Sequence, residues 1–383
     1  MELEFSGEQD ALRESVAAVL AHEFPLGAVR ELVEARWTEP AATTEAADAL
    51  WTTMTDLGWP ALTVPGEYGG VGLGSIETAI VAEEIGRALA PGPLFPTLTQ
   101  FLPALAECGA AEAHAAWYPQ VAAGELTGAL AVAEATGSDD PASTATTLEP
   151  TNGGFLLQGT KQAVMEGVTV DTFAVVARHA GTRGADGLVI ALVPRSDATD
   201  IMPVAGFDRS RSYATVEFDR VVVPAHHVLG GGGAAVGVTR TLECATTALA
   251  AEMVGTGQAI FDIALAYAKE RHQFGVPIGS FQSMKHKFAD LAIALERARA
   301  TTYFAALTIA EDDDRRALAT AMAKAAAGDA QKVLSKQGIQ ILGGIGFTWE
   351  HDMQMFVRRL QSDGFVFGTA ATQRARVADL LGV

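Results

Sequence analysis

Apolar positions three or four residues apart dominate the first third of the chain. They run through EQDALRESVAAVLAHEF, ALWTTMTDLGW and IETAIVAEEIGRALA and predict a helical region over residues 1–125. Pro and Gly clusters, TVPGEYGGVGLG and APGPLFP, separate these segments. Over residues 126–232 the period shortens. GALAVAEA, GFLLQGTKQAV, DTFAVVARH, GLVIALVP and YATVEFDRVVVP are rich in Val, Phe and Thr and are bounded by Gly, Asp or Pro, which predicts a central β-domain. The polar piece HAGTRGADG reads as a hairpin or loop within it. Helical periodicity returns over 233–383, with an Ala-rich stretch at 238–271, helices over 283–311 and 315–340 around an acidic turn at 311–314, and a final helix after Trp349. The pattern predicts a mainly α fold with a central β-domain, the C-terminal part forming a four-helix bundle.

With 383 residues, the chain exceeds a single compact core, in keeping with this division. A net charge of −19 argues against nucleic acid as a partner, because that binding relies on neutralising phosphates. It leaves room for a phosphorylated small molecule held by a few local cations. The first twenty residues mix charged and apolar positions and lack the form of a signal peptide, and no uncharged run has the length of a membrane span. Cys108 and Cys244 offer neither metal spacing nor a disulfide framework. A soluble, cytoplasmic protein is expected. His226-His227 has no third ligand nearby and reads as a solvated loop rather than a metal site.

Two local motifs carry chemistry. Arg271-His272-Gln273-Phe274-Gly275 ends the long helix, and its bland reading is a helix stop with a favourable cation at the negative helix end. Gln340-Ile341-Leu342-Gly343-Gly344-Ile345-Gly346-Phe347 reads either as a helix stop or as backbone left bare for close approach to a phosphate or ring. The pair, in this order and at this separation, resembles the acyl-CoA dehydrogenase family. LGWPALTVPGEYGGVGLG, the GSD at Ser138, FDRVVVPAHHVLG and RRLQSDGFVFGTAATQR agree with it, so the resemblance spans essentially the whole chain. It implies a helical N-domain, a β-barrel-like middle domain and a C-terminal four-helix bundle, with FAD as cofactor, an acyl-CoA thioester as substrate and α,β-desaturation as the reaction.

The resemblance also exposes departures. The family's Tyr-Glu-Gly-Thr, whose Glu is the catalytic base, corresponds to Val366-Phe367-Gly368-Thr369. The alternative position for that Glu falls on Ala245. Glu243 lies two residues away, a rotation of roughly 200° on a helix, and is a weak candidate whose preferred reading is a solvated or capping carboxylate. The Trp-x-Thr or Trp-x-Ser that lines the flavin ring falls on Ala163-Val164-Met165. The family's Gly-Ser-Asp loop appears in shortened form, ending Gly137-Ser138-Asp139. By contrast, the residues that the family uses toward a neighbour's FAD persist: Arg271 for the pyrophosphate, Phe274 and Gln282 beside it, and Gln340, Gly343 and Gly344 toward the adenosine end, with Ser138 and Thr369 retained on the chain's own side. This division implies the base-lacking subunit of a heteromeric acyl-CoA dehydrogenase, α2β2 with a second, competent subunit. A self-sufficient homo-oligomer with a relocated base at Glu243, Glu252 or Asp363, and a non-catalytic scaffold, are the alternatives. Arg358 is expected to be structural and Arg359 to face a partner or the CoA phosphates.

Overall fold

The computed structural model describes residues 5–138, 140–231 and 234–383. Asp139 and the expected 232/233 domain boundary lie outside the described residues. The N-terminal region contains α1 (Gly7–Glu23), α2 (Leu26–Thr38), α3 (Glu45–Asp56) and α4 (Ser75–Ala88). A short α5 (Leu94–Pro96) then passes through a widened turn, Thr97–Phe101, into α6 (Leu102–Cys108), and α7 (Ala111–Ala122) follows. Ser6 starts α1 with a capping box: its hydroxyl accepts from Gln9 N at 3.2 Å, and Gln9 Oε1 accepts from Ser6 N at 3.0 Å.

Sequence periodicity finds α1, α3 and α4 but passes over α2, α6 and α7. Helix α2 buries Val29, Leu32, Val33 and Arg36, and the arginine masks the helical stripe. APGPLFP reads as a breaker, yet its Leu94–Pro96 forms α5, and the widened turn Thr97–Phe101 carries the helix on into α6, where Pro103 stands.

The β-domain is one eight-stranded sheet. Its strands are β1 (Gly128–Ala131), β2 (Thr147–Thr151), β3 (Gly154–Met165), β4 (Thr172–His179), β5 (Leu188–Pro194), β6 (Asp200–Val204), β7 (Tyr213–Pro224) and β8 (Val228–Leu229). The order is β6-β7-β3-β2-β4-β5-β8, with β1 parallel to β4. HAGTRGADG is the hairpin between antiparallel β4 and β5. Both strands are buried on both faces: Phe173, Val175, Val189 and Ala191 enter the sheet's own core, while Ala174, Val176, Ile190 and Leu192 join the helical core. Their unbroken apolar runs follow from that double burial. Strands β2 and β6 escape sequence detection because each carries a proline, Pro150 or Pro203. Strand β6 sits at the sheet edge, where proline is tolerated.

The C-terminal region opens with α8 (Ala234–Glu270), followed by a small hairpin of β9 (His272–Gln273) and β10 (Val276–Pro277). Then come α9 (Gln282–Ala310), α10 (Arg316–Leu342), α11 (Met353–Asp363) and α12 (Ala370–Leu381). Helices α8, α9 and α10 pack against one another, and α12 packs on α10. Two helices therefore stand where one final helix is expected, parted by Gly364–Thr369, in which Phe367 and Gly368 both have positive φ (53° and 92°).

Helix α8 is long and apolar enough to cross a membrane by composition, but 72% of its apolar window is buried inside this fold. It also fastens the N-terminal region. A Cβ on Gly255 would collide with the Glu83 carbonyl, and one on Gly86 with the Glu252 carbonyl, so α4 and α8 cross backbone to backbone. Met353 and Met355 are buried in the core, as expected for methionines that fill it.

Candidate functional site

The retained residues gather at one end of the bundle. Arg271 follows α8, and Ile278 N donates to its carbonyl at 2.8 Å, folding the β9–β10 hairpin back on the helix end. Phe274 (φ 54°) and Gly275 (φ 81°) form the hairpin tip, a two-residue turn that needs positive φ at both positions. Phe274 is held there 94% exposed. Gln282 opens α9, and Gln340 lies in the last turn of α10; Lys287 Nζ to Gln337 Oε1 at 2.9 Å ties these two helix ends together. Gly343 has φ 69°, which accounts for a glycine there. Gly344 has no such φ, and nothing of this chain lies within 4 Å of where its Cβ would be. Arg271, Phe274, Gln282, Gln340, Gly343 and Gly344 are all exposed.

On the other side of the fold, the end of β3 faces the α11–α12 connection across a cavity of about 300 Å³ bordered by Gln100, Glu134, Ser138, Ala163, Met165 and Phe367. Gln100 and Glu134 are already engaged. Gln100 Nε2 donates to Met165 Sδ at 3.4 Å, and Gln100 Oε1 accepts from Leu130 N at 3.2 Å. Glu134 Oε1 accepts from Lys161 Nζ at 2.6 Å and Thr146 Oγ1 at 2.7 Å, and Oε2 accepts from Ala145 N at 2.7 Å. Burial alone would raise the Glu134 carboxyl, but the hydrogen bond and charge of Lys161 outweigh it and hold the group below its usual range. Burial in turn lowers the Lys161 ammonium to about 8. Ser138 Oγ accepts from Asp140 N at 3.2 Å, and Thr369 Oγ1 caps α12 by accepting from Thr372 N at 3.2 Å.

None of the expected alternatives places a free carboxylate beside this cavity. Ala245 is fully buried on α8. Glu243 is not the solvated or capping group expected. It is 3% exposed, with Arg316 Nε 2.8 Å and Arg376 3.6 Å away, because α8, α10 and α12 bring three segments together around it. Burial raises its carboxyl in spite of both arginines. Glu252 is fully buried between Arg211 and Arg359, the latter at 2.7 Å. Asp363 is also fully buried, 3.4 Å from Arg211; burial and the neighbouring Glu252 push its carboxyl up to about 8.

Glu252 and Asp363 belong to an ionic cluster that sequence reasoning missed. Arg359 is its centre, 0% exposed, donating to Asp208 Oδ2 at 2.6 Å, Ser210 Oγ at 2.7 Å and Glu252 Oε1 at 2.7 Å. Arg36 joins from α2, donating to the Ser210 carbonyl at 3.1 Å. The expectation for Arg359 is thus overturned, while the contacts of Arg358 are, as expected, within the chain. Arg359 faces neither partner nor phosphate, whereas Arg358 lies partly exposed over the Trp37 and Phe207 rings at 5.4 and 4.7 Å. Helix phase explains this: adjacent residues point about 100° apart, and only one of them meets the interior. His227 is likewise not simply solvated. Its ring packs edge-on to Trp117 at 5.2 Å, and burial lowers its pKa.

The bundle end fits the adenosine-pyrophosphate part of FAD: an exposed arginine and bare glycine backbone at the same end of the bundle can receive phosphate oxygens. The β3 cavity fits the flavin ring poorly, since Ala163 offers no planar wall and Met165 no hydroxyl.

Comparison with known proteins agrees with this fold. Acyl-CoA dehydrogenase N-terminal, middle and C-terminal domain models match residues 6–125, 129–221 and 231–382. The isovaleryl-CoA dehydrogenase of Solanum tuberosum is 31% identical over 335 residues, 85% of this chain and 80% of its own. Among solved structures, the butyryl-CoA dehydrogenase of Megasphaera elsdenii has the same fold (TM-score 0.91, 21% identity, full coverage of both chains). The Tcur3481–Tcur3483 steroid ACAD matches at TM-score 0.85 and 27% identity over 98% of each chain. In sequence and fold alike, the chain belongs to the acyl-CoA dehydrogenase family, oxidoreductases whose cofactor is FAD.

Proposed function

We propose that this chain is the supporting subunit of a heteromeric, FAD-dependent acyl-CoA dehydrogenase, an α2β2 assembly whose other subunit carries the catalytic glutamate. The observation that carries the reading is the asymmetry of the two half-sites. Phe367 occupies the base position, and Glu243, Glu252 and Asp363 are all committed to buried arginines. The outward-facing half at Arg271, Phe274, Gln282, Gln340, Gly343 and Gly344 is intact and exposed. In this role Arg271 neutralises the pyrophosphate held mainly by the partner, and the Gly343-Gly344 backbone lets the cofactor approach closely. Phe274 covers apolar surface beside it. FAD, when bound, supplies the hydride-accepting centre for desaturation of an acyl-CoA thioester. The likeness to a steroid ACAD named from two components supports an assembly of this kind.

Co-expression with a base-bearing acyl-CoA dehydrogenase subunit tests the proposal. The expected result is a complex with one FAD per two chains and desaturase activity, and an isolated chain with little flavin and no turnover. One FAD per chain and full turnover in the isolated protein overturn it.

A further inference from the structure

The β3 cavity shares a wall with a second one. This outer cavity, about 550 Å³, lies over α8 and α12 and is bordered by Ser138, Thr239, Thr246, Gln373 and Arg376. The inner cavity is mostly apolar, bordered by Leu130, Val132, Met165 and Val366. Gly137, Ser138 and Phe367 border both, and of the three only Phe367 has a side chain large enough to divide them.

The backbone beneath that ring is both strained and fastened. Phe367 holds φ 53°, a left-handed conformation that bulky side chains rarely adopt. Such a conformation persists only where its surroundings impose it. Here Lys324, 0% exposed, reaches from α10 and donates through Nζ to the carbonyls of Asp363 at 2.8 Å and Gly368 at 3.1 Å. Gln373 Nε2 donates to the Phe367 carbonyl itself at 2.7 Å. Both ends and the crest of the 363–368 loop are therefore pinned, and the ring has little freedom to swing aside.

We propose that Phe367 is a specificity-determining residue. Its ring partitions one continuous channel into a polar outer vestibule and an apolar inner chamber. An acyl thioester entering over α12 has its chain stopped at the ring, so this chain accepts short acyl groups and excludes the distal carbons of long ones. Lys324 and Gln373 are positioning residues that keep the ring across the channel. The inference rests on the proposed subunit role, in which this chain's own β3 cavity holds no flavin ring, and it adds that an acyl-CoA thioester binds here and what limits its acyl group.

The test is the dependence of affinity on acyl length, measured by calorimetry with butyryl-, octanoyl- and palmitoyl-CoA on the isolated chain and on Phe367→Gly. Glycine is at ease at this φ, which offsets part of the packing lost with the half-buried ring, and a melting curve of the variant confirms that it is folded before binding is compared. Each methylene that gains access to an apolar chamber adds about fourfold in affinity (~0.8 kcal/mol). In the parent, affinity levels off once the chain fills the vestibule. In Phe367→Gly it keeps rising, with a butyryl-to-palmitoyl ratio at least about tenfold larger than in the parent, as a few added methylenes require. Lys324→Met, which alters a buried residue outside the lining of either cavity, steepens the length dependence in the same direction but less; general destabilisation would instead weaken all three ligands together. Identical length dependence in the parent and Phe367→Gly, absence of binding to both included, overturns the partition. Flavin stoichiometry in the heteromer decides the subunit reading separately, so either can fail alone.

Discussion

At the bundle end, Arg271, Gln282 and Gln340 stand exposed, Phe274 projects almost wholly into solvent, and Gly344 is bare with nothing of its own chain near it. Below the β3 cavity, Arg359 and Arg211 are nearly or fully buried, and each is spanned by carboxylates of the same chain. Both regions are rich in groups able to hold an anion, yet only one leaves them open. The buried arginines complete the protein's own interior, whereas the exposed one has its binding capacity still to give. Charge alone does not mark a ligand site; charge that the chain has not already neutralised does.

The largest effect that tests this contrast is expected at Arg359. Replacing it with Met leaves Asp208 buried without its ion-pair partner and Glu252 with Arg211 alone, and breaking one side of such a buried pair costs about 3–5 kcal/mol. Chemical denaturation of Arg359→Met should show that loss. The double variant Arg359→Met/Asp208→Asn should recover part of it, because the stranded charge is gone. A loss below about 1 kcal/mol, the range of an exposed pair, would break the comparison.

Next comes Arg271. Its replacement by Ala should leave the isolated chain's stability within about 0.5 kcal/mol, as for an exposed position. In the heteromeric complex it should weaken FAD binding about tenfold to a hundredfold, the ~1.5–3 kcal/mol of a hydrogen bond to a charged group. Flavin release from the complex, followed by fluorescence, measures it. An equal loss of stability in the isolated chain would mean that Arg271 works inside the fold and not across an interface.

The contrast also explains which parts of the molecule can be read from sequence. Helices α1, α4, α8, α9 and α10 announce themselves by period, and the fully buried β4 and β5 by unbroken apolar runs. Phe367 is legible because its neighbours Gly368 and Thr369 fix the alignment. The ionic cluster is not, since Arg36, Asp208, Glu252 and Arg359 come from four separate segments and charged residues are by default assigned to the surface. Nothing local distinguishes Arg359 from Arg358; only the packing of α11 against α8 decides which one turns inward. Glu243 was misread for the same reason, its arginines lying 73 and 133 residues further along the chain.

A smaller effect is expected from Asp363. Its folded-state carboxyl is raised to about 8, mainly by burial and then by Glu252, against an ordinary value of 3.8. Between those two values the folded chain holds a proton that the unfolded chain has released. Its contribution to stability is therefore fully present at low pH and is lost as pH rises toward 8. Asp363→Asn removes the titration, so the melting temperature of the parent relative to this variant should fall between pH 5 and pH 8. A difference that stays flat over that window would show that the buried carboxylate remains ionised, fully paired with Arg211.

The smallest expected effect is the sharpest test of the outward-facing half. Gly344→Ala adds one methyl group at a position with no neighbour within 4 Å and no left-handed φ. In the isolated chain it should change stability by at most about 0.5 kcal/mol, and Ala can even stabilise by narrowing the unfolded ensemble. Gly343→Ala provides the internal control, because φ 69° makes a side chain there costly whether or not a partner is present. If the Gly344 backbone meets a cofactor held by another subunit, the added methyl group should reduce FAD retention in the complex while leaving the free chain untouched. That separation between two adjacent glycines, one costly everywhere and one costly only on assembly, is what an interface residue predicts and a simple helix stop does not.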